Sequence, residues 1–578
     1  MYLKQTLQKN GKLNLSIVEN WWDPEKKRSR QKTIENLGYA QDLKKEHPDP
    51  IEWGKQRAKE LTKEKQAAKQ AVQIKIYPQQ KIDKKAQNRK NIGCAAICSI
   101  YNSLKIEPSI RNNTRKQRVQ FDINSVLRLL VCERVVNPSS KLSNWENKDR
   151  YFFRTDFSQS DVYRALDVLA DIKDKIISAM NRSIENAQIR DLSAVYYDVT
   201  NYYFEIDAED ELRKKGVSKE HRKSPIVQMG LLQDKNGIPI TYKVFSGNTN
   251  DCQTLIPVLS NLKRDHNLDR VVAVADKGIN CSQNIAASVA KGDGFVFSQS
   301  IKGTKSDSEL RDWVLDEKDY VSSKNFKIKS KQGFKTVHLK KEDTDNGKAC
   351  DIDVEVKYVA FWSEKYARRA RRKREELLEK ARELVKNPGS YTRATSYGAA
   401  AYVENLHFDK KTGEIIDTNK LMQNEEAIQK DEATDGYYLV VTSELNWSDE
   451  KILDTYRELW KIEETFKITK SELKTRPIYL RDLQHVEAHF LTCYIALVIL
   501  RLLQLKTGLN CATIREELSA MSGTNIGANW WVFNHRSENS DLIASSVGLE
   551  ELMLQNLTTK DVSKILGKAK KFDLKFRR

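Results

Sequence analysis

Hydrophobic and polar positions change their period several times along this chain, and each change marks a boundary between elements. Over roughly the first 45 residues, short apolar alternations in KLNLSIVENWW and QKTIENLG flank the polar turn DPEKKRSR, a pattern that predicts short strands in a small β unit. Residues 52–72 follow with alternating charge and few apolar positions, which suits an exposed helix or linker. Residues 1–75 are therefore read as a small β unit with a basic helix or linker attached. Between 90 and 187 the period becomes helical: Val126, Leu129 and Leu130 recur in one segment, and Val162, Leu166 and Leu169 in another behind the expected cap Ser160. That span is read as a helical domain, with DNA binding as its expected role.

At residue 190 the pattern turns to strands. AVYYDVTNYYFEI is rich in β-branched and aromatic residues, and IVQMGLL and IPITYKVF bracket a hairpin turn centred on Asn236 and Gly237. CQTLIPVLSNLKRD then reads as a helix, VVAVA as a short buried strand, NCSQNIAASVAK as a helix and GFVFSQS as another strand. Strands followed by alternating strands and helices predict an α/β domain with a mixed sheet. Residues 300–445 break this rhythm. DIDVEVKYVAFW alternates as a strand, and SEKYARRARRKREELLEKARELVKNPG reads as a long charged helix stopped at Asn387, Pro388 and Gly389. The region is read as an insertion, after which the pattern is helical through 446–505 and again in a C-terminal helical region, 506–578.

Composition narrows the partners. A chain of 578 residues exceeds what one hydrophobic core organises, so several domains are expected. Lys and Arg number 99 against 80 Asp and Glu, a formal net charge of +19 that favours a polyanion. An anionic membrane would call for a basic amphipathic anchor or a spanning helix. The longest apolar run, Phe490 to Leu505, is interrupted by Thr492, Arg501 and Gln504 and is shorter than the roughly 20 residues a span needs, so a buried core helix is expected instead. The first residues, MYLKQTLQKNGKLNL, have no apolar h-region, which predicts an intracellular protein. The eight cysteines, with Cys94 and Cys98 lacking a second pair at metal-ligand spacing, are expected to stay reduced and mostly to fill core.

Acidic residues are abundant, so position has to separate catalytic candidates from the rest. Asp198 lies inside an apolar, aromatic strand, where a carboxylate is costly unless it is paired or bound to a metal. Asp276 ends the VVAVA strand and is followed by Lys277 and Gly278, the place where open α/β sheets put their active residues. Glu463 falls broadly on one helical stripe with Tyr456, Lys467, Lys470 and Lys474. Each has a plain structural alternative: a satisfied core acid for Asp198, a strand-end cap for Asp276, and a solvated Glu/Lys face for Glu463.

The strings YYDVTNYYFE and VAVADKG and the stretch from Tyr456 to Lys470 resemble, in that order, the three catalytic blocks of the DDE-type transposases of bacterial insertion sequences, the superfamily with a YREK signature around its last acid. PITYKVFSGNTNDCQTL resembles that family's segment between the first two acids, and the resemblance spans roughly residues 120 to 505. It implies a ribonuclease H-like mixed-sheet core over 190–300 and 446–505. A β-rich insertion with a basic helix over 300–445 then accounts for the 187 residues between Asp276 and Glu463. It also implies that Asp198, Asp276 and Glu463 are catalytic and hold two Mg²⁺ or Mn²⁺ ions, with Asp198 bridging both from a central strand. Tyr456 and Lys470 become DNA contacts beside the scissile end, with Lys467 and Lys474 on the same stripe. The signature's Arg is Leu459 here, so either Arg457 or Lys461 supplies the cation or this branch needs none. The implied activity is hydrolysis of a phosphodiester at the element's end and attack of the freed 3′-OH on target DNA. The implied partner is double-stranded DNA, as terminal inverted repeats and target, bound by a homodimer or larger assembly in the bacterial cytoplasm at the nucleoid.

Other features carry two readings. KYARRARRKR, which includes Arg371 and Arg372, holds seven basic residues in ten positions. It suits either a grip on DNA phosphates or a solvated helix laced by Arg371–Glu375 and Arg372–Glu376 pairs. His485 and His489 stand at i, i+4 without an HExxH motif, so a structural role is expected. Trp21, Trp22, Trp530 and Trp531 are expected in core rather than stacked on bases, and Asn248 and Asp251 are expected to cap a turn. Two rival functions stand beside this one: a ribonuclease H-like nuclease that cuts without joining and uses the same acids, and a transposase-derived DNA-binding protein with a dead site, against which the retained Asp198, Asp276 and Glu463 argue.

Overall fold

A computed structural model describes residues 1–9, 11–23, 28–67, 81, 88–206, 208–216, 224–260, 262–266, 268–302, 307–341, 344, 348–387, 398–404, 407–408, 415–417, 422–527 and 529–575. Half of the polar turn expected at 23–30, the end of the linker expected at 52–72, and the helix stop at Pro388 and Gly389 lie outside the described residues. The chain divides into two compact units, residues 1–82 and 83–578.

In the first unit, strands β1 (Tyr2–Leu7), β2 (Leu13–Asp23) and β3 (Arg28–Tyr39) form an antiparallel sheet in the order β1-β2-β3, followed by helices α1 (Ala40–Leu43) and α2 (Pro50–Ala67). Strict alternation would bury every second residue of β2. Irregularities in its register with β3, between Leu15 and Ser16 and between Ile17 and Val18, shift the phase, and the adjacent Ile17 and Val18 are both buried.

The second unit opens with β4 (Arg89–Asn91) and the helices α3 (Cys94–Ser103), α4 (Ile106–Thr114), α5 (Ile123–Val136), α6 (Lys141–Glu146), α7 (Gln159–Asp171) and α8 (Lys173–Asn186). Helix α7 begins earlier than the sequence suggests. Its cap is Ser158, in a capping box with Asp161, whereas Ser160 lies inside the helix with its hydroxyl against that of Ser158. Gly93 precedes α3 where the backbone passes closely: a Cβ there would lie 2.3 Å from the Leu518 carbonyl oxygen. Gly93→Ala is expected to destabilise the unit by about 1–3 kcal/mol, read as a lower urea midpoint at an unchanged slope.

The core is a nine-stranded mixed sheet built from β5 (Val195–Tyr203), β6 (Ile226–Asp234), β7 (Pro239–Ser246), β8 (Val272–Ala275), β9 (Gly294–Gln299), β10 (Val321–Ser323), β11 (Phe326–Leu339), β12 (Cys350–Ser363) and Tyr437–Thr442. Four short strands, β13 (Val403–Glu404), β14 (His407–Phe408), β15 (Ile415–Asp417) and β16 (Met422–Gln423), pair two and two apart from it, so Tyr437–Thr442 is β17. The order is β10-β11-β12-β17-β9-β8-β5-β6-β7; β5, β8 and β9 are mutually parallel, and β6 and β7 run in antiparallel succession beside β5. This is a mixed-sheet α/β core. The region read as an insertion adds four strands to the same sheet through β17, which pairs with β9.

Both faces of the sheet are covered. One packs on α9 (Leu255–Leu259), α10 (Leu262–His266), α11 (Ser282–Ala290) and α12 (Ser308–Leu315). After the basic helix α13 (Glu364–Lys386) and α14 (Glu425–Ala433), the other face receives α15 (Asp449–Arg457), α16 (Trp460–Lys467) and α17 (Leu483–Thr507). Helix α17 is long and apolar enough to cross a membrane by length and composition, but 94% of its apolar window is buried inside the molecule. Residues 506–578 depart from the expected all-helical region. Beside α18 (Cys511–Ala520), α19 (Glu538–Ser546) and α20 (Thr559–Lys570) they contribute β18 (Ser522–Gly527), β19 (Trp530–Phe533) and β20 (Asn556–Thr558) to a sheet ordered β20-β19-β18-β4. The aromatic and β-branched run Trp530–Phe533 fits a pleat, with Trp531 and Phe533 inward.

Candidate active site

Register and side-chain parity place two of the three predicted acids together. The last paired residues of parallel β5 and β8 are Tyr197 and Ala275, so the next positions, Asp198 and Asp276, stand level on neighbouring strands. Neighbouring strands lie about 4.8 Å apart. Tyr196 and Tyr202 of β5 and Val272 and Val274 of β8 pack into the core under α15–α17, while Tyr197, Val199, Ala273 and Ala275 pack into the opposite one. By that parity both carboxylates belong to the α15–α17 face. Asp198 is half-buried and Asp276, at the carboxyl end of β8, is exposed. Each accepts the N–H of the following residue, Val199 to Asp198 Oδ1 and Lys277 to Asp276 Oδ1, both at 2.7 Å.

Ser298 completes the setting of Asp276. It shares the inward parity of Val296 on β9, and its hydroxyl donates to Asp276 Oδ1 at 2.8 Å, while Asn280 Nδ2 donates to the Ser298 carbonyl at 2.8 Å. Oδ2 of Asp276 accepts no hydrogen bond among the described residues. Tyr456, at the end of α15, lies beside this pair; burial and then the Asp276 charge raise its phenol pKa, which keeps the hydroxyl protonated. Tyr438 of β17 has its phenol raised by burial, then by Tyr366, with Asp276 adding to it, and Arg369 of the basic helix acts in the opposite sense. The Tyr366 and Tyr438 rings are 5.0 Å apart, which anchors the start of the basic run beside Asp276. Ser298→Ala is expected to lower turnover about tenfold with little change in stability, because it removes one hydrogen bond to a charged group; paired activity and unfolding measurements check this.

Glu463 reaches the same face by a different element. Glu458 acts on the Tyr196 phenol, whose pKa is raised by burial and then by that carboxylate, and Thr469 Oγ1 meets the Tyr202 hydroxyl at 2.8 Å. Residues 458–469 therefore run alongside β5 in its own direction, and Glu463 falls between those contacts as Asp198 falls between Tyr196 and Tyr202. Glu463 is exposed. Among the described residues the only three Asp, Glu, His or Cys side chains with ligand atoms all within 4.8 Å of one another are Asp167, Asp482 and His485. The predicted triad is thus not drawn together to that distance. Its donors are all carboxylate oxygens, a set that suits a hard divalent cation.

The single stripe expected from Tyr456 to Lys474 is divided. The helix breaks at Glu458 and Leu459, and a π-helical turn at Ile468–Glu472 rotates the residues beyond it. Leu459, which stands where the signature has Arg, is 8% exposed and fills core. Lys461 pairs with Glu458 and donates to the Lys235 carbonyl at 3.0 Å, whereas Arg457 lies over the Phe326 ring at 5.2 Å and contacts Asp454 at 3.3 Å. Lys467 and Lys474 are exposed, and Lys470 is half-buried with its ammonium 5.9 Å from the Tyr202 ring. Arg371 and Arg372 are exposed on α13; Arg372 meets Glu376 at 3.4 Å, and Arg374, from the same run, is buried against Asp435 at 2.7 Å.

The remaining candidates are accounted for locally. His489 is buried with Nε2 3.0 Å from the Thr475 carbonyl, and burial, with Arg134 and Lys141 nearby, holds its pKa well below the usual range. His485 pairs instead with Asp167 at 2.9 Å, and Asp482 caps α17, so the two histidines share no ligand site. Trp531 is buried with its indole N–H on Thr559 Oγ1, Trp530 is half-buried, Trp21 is 43% exposed, and the Trp22 side chain lies outside the described residues. Asn250, rather than Asn248, caps the turn at Asp251–Gln253. All eight cysteines are free thiols. Ser298, Tyr438 and Tyr366 were not singled out by sequence; the one available signal was Ser298 in phase with Val296 in GFVFSQS.

The family model described as "Transposase DDE domain" matches residues 204–499, which include Asp276 and Glu463 and begin six residues past Asp198. No curated protein matches the chain. Among solved structures, the synaptic complex of piggyBac transposase with hairpin DNA is similar at 8% identity and a TM-score of 0.34, over 82% of this chain and 85% of that one. Because the family match spans 296 of the 578 residues, the chain belongs to the transposase DDE domain family.

Proposed function

We propose that the chain is a DNA transposase that hydrolyses phosphodiester bonds at the ends of a mobile element and joins the freed 3′-OH to target DNA. The observation that carries this reading is the level placement of Asp198 and Asp276 on parallel strands, on the face covered by the helix that bears Glu463. These three residues would hold two Mg²⁺ or Mn²⁺ ions, which when bound activate the attacking oxygen and offset charge on the reacting phosphate. Ser298 fixes one oxygen of Asp276. Tyr456, kept protonated, can donate a hydrogen bond beside Asp276 but cannot serve as a base near neutral pH. Lys467, Lys470 and Lys474, with the exposed Arg371 and Arg372, supply cations for the phosphate backbone, in keeping with the net charge of +19.

The test uses any short inverted repeats found in the DNA flanking the reading frame, offered both uncut and as pre-cut ends, with a target plasmid and Mg²⁺. The expected result is a joined product. Cleavage without joining would leave the nuclease reading standing, and neither product would support the DNA-binding reading.

A further inference from the structure

The second unit holds a cavity of about 400 Å³ outside the carboxylate cluster. It lies between the α5–α6 junction and residues 474–480, which lead from the π-helical turn towards α17. Among the described residues four cations line it, Arg134, Lys141, Lys474 and Arg476, and no carboxylate does. The neighbouring acid, Glu133, already accepts from Tyr151, Asn137, Asn144 and Asn147. Arg134 braces the two walls, donating to the Leu473 and Lys474 carbonyls on one side and the Ser139 carbonyl on the other.

Lys141 is the anomaly. It is 4% exposed, lines the cavity, and its Nζ has no hydrogen-bond partner among the described residues. A buried ammonium without an acceptor is costly, and buried polar groups are almost always paired. Burial, with Arg134 beside it, pushes the Lys141 pKa down to about 7, so a proton is held only weakly until an anion arrives. The backbone at Lys474 is also held at φ +42°, in the left-handed region a non-glycine residue avoids.

We propose that this cavity is a phosphate-binding site centred on Lys141 and completed by Lys474 and Arg476. Lysine supplies a point charge and arginine a planar fork for phosphate oxygens, and the volume leaves room for the group that carries the phosphate. One source is free phosphate and the other a DNA strand. Arg476 lies 5.6 Å from the ring of Tyr203, five residues along β5 from Asp198, which places the cavity about 17 Å along the strand from that acid. The DNA source rests on the function proposed above; the phosphate site itself does not.

The test compares the full chain with Lys141→Met and with the exposed Lys474→Met, which leaves the core undisturbed. One arm measures the thermal midpoint in inorganic phosphate against chloride of equal ionic strength. The other measures affinity for a duplex with 5′-hydroxyl ends. Free phosphate as the source predicts a midpoint rise of several degrees in the native chain that both substitutions reduce. DNA as the source predicts a several-fold loss of duplex affinity and a salt slope smaller by about one. If neither arm depends on Lys141 or Lys474, the proposal is overturned. The phosphate arm uses neither DNA nor a divalent metal, so its dependence on Lys141 and Lys474 stands or falls independently of the cleavage and joining assays that test the function proposed above.

Discussion

Asp276→Asn is expected to lower metal-dependent DNA cleavage and joining by on the order of 10³-fold or more, while stability and DNA affinity change little. The size comes from the chemistry. A metal ion at a reacting phosphate contributes several kcal/mol of transition-state stabilisation, and each ~1.4 kcal/mol is tenfold in rate. An amide keeps the shape of the carboxylate and can still accept from Ser298 and the Lys277 N–H, so the loop has no reason to move. Exposure of Asp276 removes any large folding term, and loss of one negative charge can only favour binding of a polyanion. Asp312→Asn, at an acid with a side chain 72% exposed elsewhere on the surface, is the control and should retain full activity. Single-turnover cleavage of a labelled end in Mg²⁺, with affinity measured in Ca²⁺, separates the two effects.

The largest stability effect is expected from Arg190→Met. Arg190 and Asp234 form an ion pair at 3.1 Å with side chains 2% and 0% exposed, and Arg190 also donates to the Ile238 and Pro239 carbonyls and to Asn181 Oδ1. These bonds tie the end of α8 to the β6–β7 hairpin beside β5. Burial raises the Asp234 pKa even with Arg190 working against it, so desolvation is the dominant force there. Removing the arginine leaves that carboxyl buried with little beyond the Ile238 N–H at 2.8 Å, a loss of about 3–5 kcal/mol. Arg190→Met with Asp234→Leu should recover most of it, because the uncompensated charge goes with its partner. Urea midpoints for the two single substitutions and the double one give the coupling directly.

How far each residue's role is legible in the sequence depends on how that residue is set in the fold. The placement of Asp198 and Asp276 on one face was legible because each interrupts or ends an apolar strand, and the period of two that buries Tyr196 and Val274 carries the acids to the same side. The hairpin at Asn236 and Gly237 was legible from turn chemistry, and Gly237 does adopt a φ of +78°. Glu463 was not legible by physics alone, since an exposed Glu between Lys461 and Lys467 has the same pattern whether it faces solvent or a metal. The stripe drawn through Tyr456 and Lys474 assumed an unbroken α-helix, and neither the break at Glu458 nor the π-helical turn has a proline or glycine to announce it. Residues 506–578 were read as helical because β18–β20 are short and are anchored through β18 on β4, more than 400 residues earlier in the chain, a contact no local pattern encodes. The cation cavity was hidden for the same reason: Lys141 and Arg476 meet only in three dimensions.

Whether Asp198 and Asp276 hold a divalent cation with Glu463 is tested most directly by letting Fe²⁺ take that place and mapping where ascorbate and oxygen make it cut the backbone. The expected cuts fall beside Asp198, Asp276 and Glu463, are suppressed by Mg²⁺ and are abolished by Asp276→Asn. Cuts confined to Asp167, Asp482 and His485, or none that depend on Asp276, would contradict a metal centre built on these three carboxylates.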